Sequence, residues 1–117
     1  MMMVAEKKSL NQKQLSGLFR EKKNAKWLSG KQAKADVFFT RPADMNDIPT
    51  ILRENCLDLK GKKRVLVRFD VPEGATLNEV NTMAERLAGE LGDKTALKWE
   101  TEVVQGILAT KAIMAVV

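Results

Sequence analysis

The sequence predicts an α+β domain, ordered β-α-β-α-β-β, with two helices on one face of a four-stranded sheet and a basic arm in front of it. Three observations carry this. Residues 75–92, ATLNEVNTMAERLAGELG, contain a helix start signal, an apolar stripe and a stop signal. Residues 61–71 and 95–104 alternate side chains with the period of two that a half-buried strand requires. Charge also divides the chain: residues 1–34 hold nine of the 20 basic residues but only two of the 15 acids, whereas residues 35–117 are net −2. The chain therefore divides into an arm, residues 1–34, and a single α/β domain, residues 35–117.

The arm, EKKSLNQKQLSGLFREKKNAKWLSGKQAK, is polar with sparse apolar residues. Leu15, Leu18 and Phe19 have helical spacing, and Trp27 and Leu28 follow about two turns later. Gly17 and Ser29–Gly30 weaken a continuous helix. The expectation is one or two short helices or a disordered segment. Three fates are open to it: a solvated tail, docking of Phe19 and Trp27 onto the open face of the sheet, or binding to an anionic partner.

ADVFFT, residues 35–40, is β-branched and aromatic and stops at Arg41–Pro42, which predicts a strand. The next segment predicts a helix of about ten residues, with Asp47 as N-cap, Pro49 in the first turn, and Ile48, Ile51, Leu52 and Cys56 on one side. In GKKRVLVRFDV, residues 61–71, Val65, Val67 and Phe69 point one way and Arg64, Leu66 and Arg68 the other. Pro72–Glu73–Gly74 then turns the chain. Thr76 and Glu79 have the spacing of a capping box. Leu77, Val80, Ala84, Leu87 and Leu91 form one stripe, and Gly92 ends the helix. In TALKWETEVV, residues 95–104, Leu97, Trp99, Thr101 and Val103 oppose Lys98, Glu100 and Glu102. If Gln105–Gly106 is a two-residue hairpin turn, the last strand pairs with this one and sets Glu100 opposite Lys111, Trp99 opposite Ala112 and Leu97 opposite Met114.

Composition narrows the chemistry. There is no histidine, which removes the commonest general base near neutral pH and the commonest metal ligand. Cys56 is the single cysteine, so no intrachain disulfide forms and no histidine can activate it as a nucleophile. No glycine-rich phosphate cradle occurs. Asp44, Asn46 and Asp47 lack the spacing of an oxygen-ligand metal loop and read as helix capping. The expectation is a non-enzymatic, cytoplasmic protein with no cofactor, no bound metal and no transmembrane segment, whose main partner is another protein.

The off-stripe residues of the long helix, Asn78, Glu79, Asn81, Thr82, Glu85 and Arg86, are the candidate partner-binding face, together with the exposed edge of the sheet. Nucleic acid is the second candidate partner. Lys7, Lys8, Lys13, Arg20, Lys22, Lys23 and Lys26 of the arm could meet its phosphates, as could Arg64 and Arg68 on one strand face beside Lys60, Lys62 and Lys63.

Residues 35–117 resemble the C-terminal domain of FtsZ, the bacterial tubulin relative. ATLNEVNTMAERL (75–87) is similar to the family's helix opening, TALKWETEV (95–103) to the strand that follows, and KAIMAVV (111–117) to the final valine-rich strand. VLVRFDVPEG (65–74) sits where the family has a strand and a glycine-rich turn. The resemblance implies a module of a cell-division or cytoskeletal polymer. The family's GTP-binding domain and acidic loop are absent, so it also implies no GTP hydrolysis by the family mechanism. The same element order resembles the C-terminal domain of bacterial translation initiation factor three, through RVLVRF (64–69) and AERLAGEL (84–91). That resemblance implies RNA or ribosome binding through the basic arm. DLKGKKRVLVRFDVP (58–72) is similar to the first strand of phosphoglycerate kinases, a match confined to this common strand pattern.

Overall fold

A computed structural model of the protein describes residues 4–29, 34–55, 63–91 and 94–117. Cys56, Lys60, Lys62 and Gly92, singled out in the sequence, lie outside them. The elements run β1 (Val4–Asn11), α1 (Gln12–Leu18), α2 (Lys22–Ser29), β2 (Lys34–Thr40), α3 (Ile48–Asn55), β3 (Arg64–Pro72), α4 (Leu77–Glu90), β4 (Ala96–Val104) and β5 (Lys111–Val116). The α+β class holds. The strand count does not: among the described residues the sheet has five strands, in the order β1-β2-β5-β3-β4.

The extra strand comes from the basic N-terminal segment. β1 pairs antiparallel with β2, with a register shift between Val4 and Glu6. Its Glu6, Lys7 and Lys8 suggest a solvated arm, yet charge of this kind is what keeps an edge strand from pairing with other chains. The helices that follow cover the face of the sheet expected to be open. Leu15, Phe19, Ala25 and Leu28 are buried there against Ala35, Val37, Leu66 and Ala115. Phe19 is docked, and Trp27 is half-buried at the rim of this layer. An expected sheet with helices on one face is thus a sheet with helices on both.

On the first face, α3 and α4 cover β3 and its neighbours. Ile48, Ile51 and Leu52 of α3 share one buried cluster with Val80, Met83, Ala84 and Leu87 of α4 and with Val65, Val67, Phe69 and Val71 of β3. The capping box of α4 forms as expected: the Thr76 side chain accepts from the Glu79 N–H (3.1 Å), and the Glu79 carboxylate accepts from the Thr76 N–H (3.0 Å). Four of the five stripe positions, Val80, Ala84, Leu87 and Leu91, are buried as expected. Met83 joins them, while the first expected position, Leu77, is 73 % exposed.

The expected β4–β5 hairpin does not form. β4 pairs in parallel with β3, with α4 as the crossover, and β5 lies on the other side of β3. Glu100 therefore sits beside Arg68, not opposite Lys111, and Trp99 beside Val67. The physical reason lies in the two sequences. β5 carries no charge after Lys111, and Ala112, Met114, Ala115 and Val116 are buried, which suits a central strand covered on both faces. β4 carries Lys98, Glu100 and Glu102, which suits an edge. Residues 105–110 cross the end of β3, turning at Gly106 with φ +83° and bridging Thr110 to Ala43.

Candidate interaction surfaces

The sheet has two unlike ends. At the carboxyl end of β3 the chain leaves through Glu73 and Gly74, whose φ of +87° favours glycine, and enters α4 at Thr76. The 105–110 connection and the 41–47 segment flank this turn, held together by reciprocal Ala43–Thr110 backbone bonds of 2.9 and 3.0 Å. Between them lies a cleft of about 430 Å³, lined by Ala43, Asp44, Met45, the Pro72–Ala75 turn, Glu79 and Leu108–Thr110. A second cleft, of about 240 Å³, shares Asp44, Met45 and Glu79 and is bordered by Asn78 and Thr82. Leu77, Val103 and Leu108 lie at this same end, 73, 58 and 99 % exposed. The linings carry three carboxylates, Asp44, Glu73 and Glu79, and no cation. Hydrogen bonds from the backbone and then the side chain of Thr76 hold Glu79 below the usual glutamate pKa.

The candidate face of α4 overlaps this end. Asn78, Glu79, Thr82, Glu85 and Arg86 are exposed, and Asn81 is half-buried. Asn78, Glu79 and Thr82 border the smaller cleft, and the Arg86 guanidinium donates to the Asn46 carbonyl on its far side. Glu85 takes no part in either lining.

The candidate cations do not converge on one site. Lys7 and Lys8 lie in β1, opposite Phe38 and Val37, with the Lys8 ammonium 5.9 Å from the Phe39 ring centroid. Lys13, on α1, is exposed. Arg20, Arg64 and Arg68 are structural. Arg68 donates to the Leu18 carbonyl at the end of α1 (2.8 Å) and pairs with Asp70 (2.8 Å) and Glu102 (3.3 Å). Arg64 donates to the Trp27 carbonyl in the last turn of α2 (2.7 Å). Both guanidinium groups thus satisfy carbonyls that a helix end leaves without intrahelical donors. Arg20 donates to the Thr101 carbonyl of edge strand β4 (3.2 Å). Lys22, Lys23 and Lys26 are exposed along α2, Lys23 lying 3.5 Å from Glu21.

The residue that ties this layer together, Glu100, was assigned by sequence to a cross-strand pair with Lys111. It is 9 % exposed, and its carboxylate accepts from the Arg20 N–H (2.7 Å), the Glu21 N–H (3.3 Å) and the Asn24 amide (2.9 Å). It stands at the N-terminus of α2, where the helix dipole and free N–H groups favour an anion. The available sequence signal is an acid on the arginine-bearing side of the sheet, which implies a buried partner once helices cover that side.

Among protein families and among curated proteins, no match is found. Solved structures do match. An FtsZ dimer from M. jannaschii aligns with 82 % of this chain at a TM-score of 0.65 and 16 % identity. The fold is shared with FtsZ. At that identity the likeness establishes the fold alone, and the chain spans 30 % of the FtsZ chain. HypE in the HypE–HypF complex (TM-score 0.43, 11 % identity, 90 % of this chain and 40 % of that one) overlaps less closely. So does thiamine monophosphate kinase from Aquifex aeolicus (TM-score 0.41, 12 % identity, 70 % and 34 %). Among the described residues no helix is long and apolar enough to cross a membrane.

Proposed function

We propose that the chain is a non-catalytic protein-interaction module on an FtsZ-like fold, which docks on a cell-division or cytoskeletal polymer. The observation that supports this most is the gathering of Leu77, Val103 and Leu108 at the carboxyl end of β3, beside the acid-lined clefts. Single exposed apolar residues are ordinary on a protein surface, but three at one end of the sheet, one of them lining a cleft, can anchor a partner. The outer turn of α4, with Asn78, Glu79 and Thr82, forms its polar rim, as in a protein interface with an apolar centre. The acidic linings favour a partner with basic residues around an apolar anchor.

Co-sedimentation with assembled FtsZ filaments tests the reading. The full chain is expected in the pellet, and a Leu77→Ser/Leu108→Ser variant with an unchanged melting curve is expected in the supernatant. Pelleting that is equal for both, or absent for the full chain, would overturn the polymer reading. Saturable GTP binding by calorimetry at millimolar nucleotide would overturn the non-catalytic one.

A further inference from the structure

The opposite end of the sheet, where β3 and β4 begin, has the reverse character. Trp27 in the last turn of α2 lies half-buried between the two strands' first residues. The Lys98 ammonium is 4.8 Å from its ring centroid and the Arg64 guanidinium 5.9 Å. Lys26 is its neighbour on α2. Lys63 precedes Arg64, and its carbonyl accepts from the Ala96 N–H at the start of β4, which sets it beside the same strand ends. Lys26, Lys63, Arg64 and Lys98 are all exposed. Among the described residues no carboxylate pairs with any of the four. Glu100, the acid nearest in sequence to Lys98 on this face, is buried and turned toward Arg20, Glu21 and Asn24. The Arg64 bond to the Trp27 carbonyl fixes the helix end, and with it the indole, against the strand.

We propose that Trp27, with Lys26, Lys63, Arg64 and Lys98 around it, is a binding site for single-stranded nucleic acid. An exposed cation–π contact is weaker than the stacking of a base on an aromatic ring. A base can therefore displace the Lys98 ammonium from the ring, and the freed ammonium can meet the adjoining phosphate. A duplex offers no open base face to the indole. A membrane surface would need apolar side chains to insert, and the large ones exposed among the described residues, Leu77, Val103 and Leu108, are at the other end of the sheet. The site is independent of the protein-docking end.

The chain has two tryptophans, so a Trp99→Phe background leaves Trp27 as the sole reporter. Titration with oligo(dT) and with oligo(U) at low salt is expected to quench Trp27 emission saturably. Three or four neutralised phosphates would give a slope of log K against log salt of about −2 to −3. Lys26→Glu/Lys63→Glu/Lys98→Glu, all at exposed positions, is expected to lose about tenfold or more in affinity at low salt with its melting curve unchanged. Lys13→Glu on α1 is the control and should leave affinity within a factor of about two. Four results would overturn the proposal. These are no quenching by either strand, binding that survives the triple change, duplex bound as tightly as single strand, or retention by anionic lipid vesicles with no response to oligonucleotide.

Discussion

Replacing Leu28 by alanine tests whether α1 and α2 are a structural layer or a solvated arm. Leu28 is fully buried, among Leu15, Phe19, Ala25, Leu66 and Ala115. Truncating a leucine in such a site loses the transfer energy of the removed methyl groups and leaves a cavity, together about 2–5 kcal/mol. The unfolding entropy of a globular chain, about 2.1 cal/mol/K per residue, amounts to about 0.25 kcal/mol/K for this length. Leu28→Ala should therefore lower Tm by about 8–20 °C, measured by circular dichroism with reversibility checked. Lys23→Ala, exposed on the same helix, should shift it by no more than about 2 °C. An arm detached from the sheet would make the two substitutions equal. Equal, small shifts would refute the docked layer and with it the five-stranded, doubly covered sheet.

Four further outcomes follow from the same geometry. Glu100→Ala strands two backbone N–H groups and the Asn24 amide in a mostly buried site and should cost about 2–4 kcal/mol, read by urea denaturation. Leu87→Asp puts an uncompensated charge against the sheet and should cost about 3 kcal/mol or more, so an unchanged Tm would show the packing face of α4 to be wrong. Thr76→Ala removes half the capping box of α4 and should cost about 1 kcal/mol. Glu79 has its pKa lowered in the folded state, so its contribution is present above the ordinary glutamate pKa and is lost as pH falls through the lowered one. The Tm gap between the native chain and Glu79→Gln should therefore close on acidification, and a gap that widens toward acid would contradict the cap.

What the sequence revealed depended on whether a signal was local. The α4 capping box needs only the spacing of Thr76 and Glu79, and the two-sided character of β3 needs only its alternation; both stand in the structure. The stripe of α4 holds at Val80, Ala84, Leu87 and Leu91 and differs only in Leu77 and Met83, because both are apolar and only the position of the sheet decides which faces it. Strand partners are non-local. A Gln–Gly pair between two apolar runs is a hairpin signal, but a six-residue connection can also step over one intervening strand. The better guide was charge: β4 carries three charged residues in its interior and β5 none, which separates an edge strand from a central one.

The N-terminal layer was harder to read because its stabilising contacts lie mostly outside its own sequence. One local signal was present: Asn11 and Gln14 form a capping box in which each side chain accepts from the other's backbone N–H at 2.9 Å. The apolar contacts are to β2, β3 and β5, and the polar ties run to β3 and β4. Arg64 and Arg68 hold the ends of α2 and α1, Glu100 holds the link between them, and Arg20 reaches back to Thr101. Read alone, a strand with two arginines resembles a phosphate-binding patch, and a lysine-rich segment resembles a free tail. Their meanings change together, because the arginines supply donors to the helix ends and the helices supply the apolar cover that leaves those arginines facing carbonyl groups. What remains for an anionic ligand at the start of β3 and β4, among the described residues, is then Lys26, Lys63 and Lys98, beside Arg64, whose helix-end bond leaves it exposed.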